Sequence, residues 1–141
     1  MTGLPIQFLD QAFHRVLFDA MPMPILVVDN DVSILEYNSA AAKLLGQDKA
    51  VVLRRRGGEA MHCVHATKTP EGCGHSPACA DCVVRNSVRA ASRGTQVTRQ
   101  WAPLEILANG RATKTNLWVS CYPFQYEQHS FILLMLEGLE N

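Results

Sequence analysis

The stretch Pro24-Ile25-Leu26-Val27-Val28-Asp29-Asn30-Asp31-Val32-Ser33-Ile34-Leu35-Glu36-Tyr37-Asn38-Ser39-Ala40-Ala41-Ala42-Lys43-Leu44-Leu45-Gly46 decides how the rest of the chain is read. Ile25–Asp29 is a short apolar run rich in β-branched side chains, Asn30-Asp31 is a turn signal, and Val32–Tyr37 is a second extended run. Together they predict a hairpin. Asn38 or Ser39 offers a side-chain oxygen to the unpaired N–H groups of a helix over Ala40–Leu45, and Gly46 suits the left-handed residue that ends it.

Upstream, Phe8, Leu9, Ala12, Phe13, Val16, Leu17 and Ala20 recur at three- and four-residue spacing, so residues 7–20 read as an amphipathic helix. Pro22 and Pro24 stop it, giving an N-terminal helical segment within residues 1–21. Downstream, Lys49–Leu53 adds a short helical turn before Arg54-Arg55-Arg56-Gly57-Gly58 breaks the pattern. From there to about residue 78 the chain is rich in Gly, Pro, Thr, His and Cys and has little periodicity. A core alone gives such a stretch no reason to be ordered; a ligand bridging its cysteines would. Residues 79–93 read as a helix ending at Gly94, with Ala80, Val84, Val88 and Ala91 on one face and Arg85, Arg89 and Arg93 as a solvated stripe on another. Three longer extended segments follow: Gln96–Leu107, then Arg111–Pro123 across an Asn109-Gly110 turn, then Phe131–Leu136. There is no internal repeat and no boundary, so residues 1–141 read as one domain.

Lys plus Arg and Asp plus Glu number 13 each. That balance argues against a general nucleic-acid binder, which shows a basic excess. No apolar run reaches the roughly 18 residues of a membrane span. Asp10 and His14 interrupt any signal-peptide pattern, so the expectation is a soluble, cytoplasmic protein, either a fragment of a larger regulator or a stand-alone partner.

The order of helix, two strands, short helices, a longer helix and three strands resembles the PAS family over nearly the whole chain. Pro24–Asp29 is similar to that family's opening strand, and Ile34–Ala42 to its second strand and the Asn-initiated helix after it. Leu45-Gly46 matches the helix end, and Leu117-Trp118-Val119-Ser120-Cys121-Tyr122-Pro123 the penultimate strand. The resemblance implies an α+β fold: a five-stranded antiparallel sheet with short helices on one face and an N-terminal helix. It also implies a non-catalytic sensory module that relays its signal to an effector, such as a histidine kinase or transcriptional regulator, or to a second copy. Exposed apolar positions such as Phe8 and Phe13 on the N-terminal helix are the expected homodimer contact.

Four of the five cysteines fall at Cys63-x9-Cys73-x5-Cys79-x2-Cys82. In a reducing compartment such clustering points to metal binding or redox chemistry rather than a structural disulfide set. Four thiolates match the tetrahedral count of zinc and the sulfur preference of iron–sulfur clusters. The two-residue gap of Cys79-Ala80-Asp81-Cys82 lets both thiolates reach one metal, although a standard zinc finger has two such pairs. At the expected start of the helix at residue 79, free N–H groups would lower the thiol pKa of Cys79 and Cys82. Arg54, Arg55, Arg56, Lys68 and Arg85 would screen the centre's negative charge. His62, His65 and His75 flank the cluster as substitute ligands, whereas Cys121, in an expected strand, reads as a small buried apolar residue.

Residues 58–82 resemble a cysteine-rich insert of bacterial PAS sensors. The functional expectation is redox or oxygen sensing through an iron–sulfur cluster, with a zinc ion as the alternative centre. A metal-free thiol–disulfide switch, or inert cysteines, are further readings. The rival function is a dimerisation module whose insert is stapled by zinc or holds no metal. No glycine-rich phosphate loop, HExxH or nucleophile elbow is present. Gly72-Cys73-Gly74 is too short for a nucleotide loop.

Overall fold

The computed structural model describes residues 11–46, 49–61, 63–67, 69–108 and 110–138. Residues 1–10 of the expected N-terminal helix, His62, Lys68 and Asn109 lie outside them. Helix α1 spans Gln11–Ala20, strand β1 Ile25–Val28 and strand β2 Ile34–Tyr37. Helices α2 (Ser39–Leu45), α3 (Lys49–Val52) and α4 (Gly57–Ala60) follow, then 3₁₀ turns at Val64–Thr67 and Pro77–Asp81. Helix α5 (Val83–Ser92) leads into β3 (Val97–Ala108), β4 (Arg111–Tyr126) and β5 (His129–Gly138).

The five strands form one sheet of order β2-β1-β5-β4-β3, antiparallel at every pairing. The hairpin at the opening stretch forms as its sequence requires, with β2 beginning two residues later than Val32. The Asp29 carboxylate accepts the N–H groups of Asp31 and Ser33 at 2.9 Å each. Val32 takes a left-handed φ of 62° and is buried. Asn38, not Ser39, caps α2: its Oδ1 accepts the Ala41 N–H and also the Ile25 N–H, both at 3.0 Å. Gly46, at φ 62°, donates its N–H to the Ala42 carbonyl.

Val84, Val88 and Ala91 of α5 pack with Leu117, Val119 and Cys121 of β4 and Ile132, Leu134 and Leu136 of β5 in one core. The helices therefore cover one face of the sheet. At the other end, α1 is fastened to the β2–α2 junction: Arg15 donates to the Tyr37 carbonyl and Asp19 accepts the Ser39 N–H. The apolar positions that α1 exposes are Val16 and Leu17, while Phe13 is half-buried.

Two expectations are corrected. The segment that lacked periodicity is built from short turns that bury Ala60 and Ala66, so local hydrogen bonds order part of it. The helix expected from residue 79 begins at Val83, because Pro77 starts a separate 3₁₀ turn and Cys82 is extended at φ −68°, ψ 116°.

Candidate functional site

The four clustered cysteines come from different local structures yet line one cavity of about 540 Å³ between the helical layer and the sheet. Cys63 follows α4; its N–H donates to the Gly58 carbonyl at 2.7 Å, and it bridges to Ile106 on the edge strand β3. Cys73 sits in a loop between Gly72 (φ 84°) and Gly74 (φ 93°). Cys79 is buried in the 3₁₀ turn, and Cys82 caps α5, its sulfur accepting the Arg85 N–H at 3.5 Å. Leu26, Leu134 and Leu136 form an apolar floor, and Trp101 and Leu104 of β3 form part of the wall.

Cys73 is half-buried, with its sulfur wedged beside Gly58 and its loop held by two arginine side chains. A Cβ added at Gly58 would lie 2.8 Å from its Sγ, so glycine is what lets the sulfur enter. Its carbonyl accepts from Arg56 at 2.6 Å. Arg85 then donates through Nη2 to the Cys73 sulfur at 3.2 Å and through Nη1 to the Asp31 carboxylate at 2.9 Å. Arg85 is only 7% exposed, which overturns the expectation of a solvated arginine stripe; Arg89 and Arg93 are exposed as expected. No local pattern in the sequence reveals this role of Arg85, because its partners Asp31 and Cys73 are distant along the chain. Arg85 stands three residues after the capping Cys82, and a Cβ at Gly74 would meet its Cζ at 2.5 Å, so Gly74 leaves the space its guanidinium needs.

Burial pushes the Cys63 thiol pKa up, opposed by the His65 and Ala66 N–H groups aimed at its sulfur. The same holds at Cys82, where burial outweighs the N–H groups of Arg85 and Val84. The lowered pKa expected at the helix entrance is therefore reversed at Cys82. The Cys73 charge raises both thiols further, so these sulfurs are near enough to feel one another. Cys121, fully buried in β4, is pushed up to about 12 by burial alone and lies outside the cavity lining.

Among the described residues, no three His, Cys, Asp or Glu side chains converge to ligate an ion; the thiols ring the cavity rather than meet in it. The donor set suits a thiophilic metal or an iron–sulfur cluster. Two buried side-chain atoms among the described residues lack a hydrogen-bond partner, His65 Nδ1 and Arg85 Nε, and both residues line this cavity. His75 is exposed and does not line it. Unpaired buried polar atoms are few in folded proteins, and two at one cavity fit a site able to bind a polar or ionic group.

A PAS-domain family model matches residues 12–75. The fold is also similar to the PAS domain of a Colwellia psychrerythraea protein, with a TM-score of 0.61 and 16% identity, covering 92% of this chain and 98% of that one. The chain folds as a PAS domain. The PAS domain of an HTR-like protein from Haloarcula marismortui is similar over 91% of this chain and 96% of its own, with 19% identity and a TM-score of 0.58. A PAS domain from a two-component sensor histidine kinase aligns over 91% of this chain and 95% of its own, with 9% identity and a TM-score of 0.58. No curated protein matches the chain. PAS domains are generally non-catalytic sensory modules. Among the described residues no helix is long and apolar enough to cross a membrane.

Proposed function

We propose that this PAS domain is a cytoplasmic sensory module that reads redox state or oxygen through a centre held by the cysteines of its cavity. The centre is an iron–sulfur cluster or, as the alternative, a zinc ion that staples the segment. The observation that carries this reading is the gathering of Cys63, Cys73, Cys79 and Cys82 around one cavity beside two unpaired buried polar atoms. To hold such a centre, the thiols would turn inward from the positions they occupy around the wall. The centre's charge would act on the Arg85–Asp31 pair and on α5, which packs on the sheet, and so reach an effector such as a kinase or regulator. Val16 and Leu17, exposed on α1, are the surface a second copy would cover in this reading.

The test is anaerobic purification followed by metal and sulfide analysis and a visible spectrum. Iron with acid-labile sulfide and a spectrum bleached by air support the redox sensor. Stoichiometric zinc with a fold indifferent to air supports the staple and sinks redox sensing. Cys63→Ser and Cys82→Ser should each abolish metal, and Cys121→Ser should leave it intact. Full metal retention in the first two refutes the assignment.

A further inference from the structure

His65 lines the cavity and carries a buried ring nitrogen, Nδ1, without a hydrogen-bond partner. It sits in the 3₁₀ turn directly after Cys63, and its backbone N–H already points at the Cys63 sulfur. An imidazole nitrogen shut off from water needs a hydrogen-bond partner or a metal, and histidine is among the commonest metal ligands.

The four thiols are not equivalent in charge environment. Cys73 alone has its sulfur held by a guanidinium, at 3.2 Å from a buried arginine. Arginine stays protonated. Pinned by that guanidinium and wedged against Gly58, this sulfur is the one least free to turn inward onto a metal. Cys63 and Cys82 instead face backbone N–H groups, which steady a thiolate without bringing a full charge.

We propose that His65, through Nδ1, is a ligand of the centre in place of Cys73, giving the set Cys63, His65, Cys79 and Cys82. This rests on the reading of the cavity as a metal or cluster site. Three cysteines and one histidine form a donor set in which zinc closes its tetrahedron. In an iron–sulfur centre, histidine in place of thiolate raises the reduction potential. Cys73 then keeps its bond to Arg85 and stays outside the ligand set.

The experiment titrates zinc(II) and cobalt(II) into the full chain, freed of metal and kept reduced, and into His65→Ala and Cys73→Ser. The wild-type cobalt spectrum should show three sulfurs and one nitrogen. His65→Ala should weaken cobalt binding by at least the roughly 10–100-fold that losing a mere outer-shell partner costs. Cys73→Ser should keep one equivalent with the same spectrum. Should His65→Ala fail to fold, cadmium loaded into wild-type protein carrying isotope-labelled histidine reads the same bond, as coupling between cadmium and one imidazole nitrogen. A four-sulfur cobalt spectrum, loss of metal in Cys73→Ser, or absence of that coupling overturns the proposal. Wild-type protein that takes up neither metal overturns the underlying reading of the site instead.

Discussion

Asn38→Ala removes one amide side chain that holds three parts of the domain together. In the folded chain Asn38 is fully buried. Its Oδ1 accepts the Ala41 N–H and the Ile25 N–H at 3.0 Å, and its Nδ2 donates to the Met23 carbonyl at 3.0 Å. Losing the cap alone costs about 1 kcal/mol. The Ile25 N–H is then left buried without an acceptor, which costs about 1–3 kcal/mol. The Met23 carbonyl stays near solvent and adds little. The expected sum is about 2–4 kcal/mol, and at roughly 3 °C per kcal/mol for a domain of this size the melting midpoint falls by about 6–12 °C. The assay is urea unfolding of metal-free protein followed by far-ultraviolet circular dichroism, with Ser39→Ala as control. Ser39 is exposed, and its hydroxyl is not the cap, so that variant should stay within about 0.5 kcal/mol. The slope against urea should not change, because neither variant alters the surface exposed on unfolding. An Asn38→Ala loss under 1 kcal/mol, or an equal loss in Ser39→Ala, refutes the assignment of the cap.

Two further outcomes follow from the cavity and the sheet. Gly74→Ala combines a left-handed φ of 93° with a methyl 2.5 Å from Arg85 Cζ, so it should destabilise the metal-free chain by about 2–4 kcal/mol in the same urea assay. A wild-type midpoint would show that the guanidinium does not pack on that loop. Cys121 should be the slowest of the five thiols to alkylate in folded protein near neutral pH, as read by mass spectrometry, because its thiol pKa is pushed to about 12. With the folded pKa raised from 9.0, the thiol's contribution is complete below about pH 9 and is lost as pH climbs toward 12. That is on the order of 4 kcal/mol across the window. Wild type minus Cys121→Ala should show the decline, and a flat difference would refute it.

How much of this was legible in the sequence depended on whether a local pattern or a long-range contact decides the structure. The strands, the Asn30-Asp31 turn, the Gly46 helix end and the buried Cys121 were readable because alternation, turn chemistry and β-branching act within a few residues. The start of α5 was misplaced by four residues. Val83 onward has helical periodicity, but Pro77 and the extended Cys82 divide the approach into two pieces, and apolar spacing does not register that division. Arg85 was assigned to a solvated face because a helical wheel sees only its own helix. What buries it is Asp31 and the Cys73 loop, distant in sequence. The cysteines' spacing reads as one cluster. The folded chain sets the four around a cavity wall, with no three ligating side chains converging among the described residues. The sign of the Cys82 pKa shift was not readable either. Helix-end N–H groups are a sequence-level inference, and the depth of burial that outweighs them is a tertiary fact.

The sheet order carries a consequence for how the chain assembles. β1 and β2 form one local hairpin, and β3, β4 and β5 form a meander of neighbours in sequence. The two halves meet only where β1 pairs with β5, Ile25 opposite Met135 through Val28 opposite Ile132. On a ribosome the early hairpin therefore waits, with one edge bare, until nearly the whole domain has emerged. The connection spanning that wait contains every candidate ligand of the cavity. An occupant that gathered Cys63, His65, Cys79 and Cys82 would shorten the effective loop to be closed, reducing the entropy lost when the halves join. Metal supply would then set the rate at which newly made chains reach the folded pool, independently of any signal the finished domain senses.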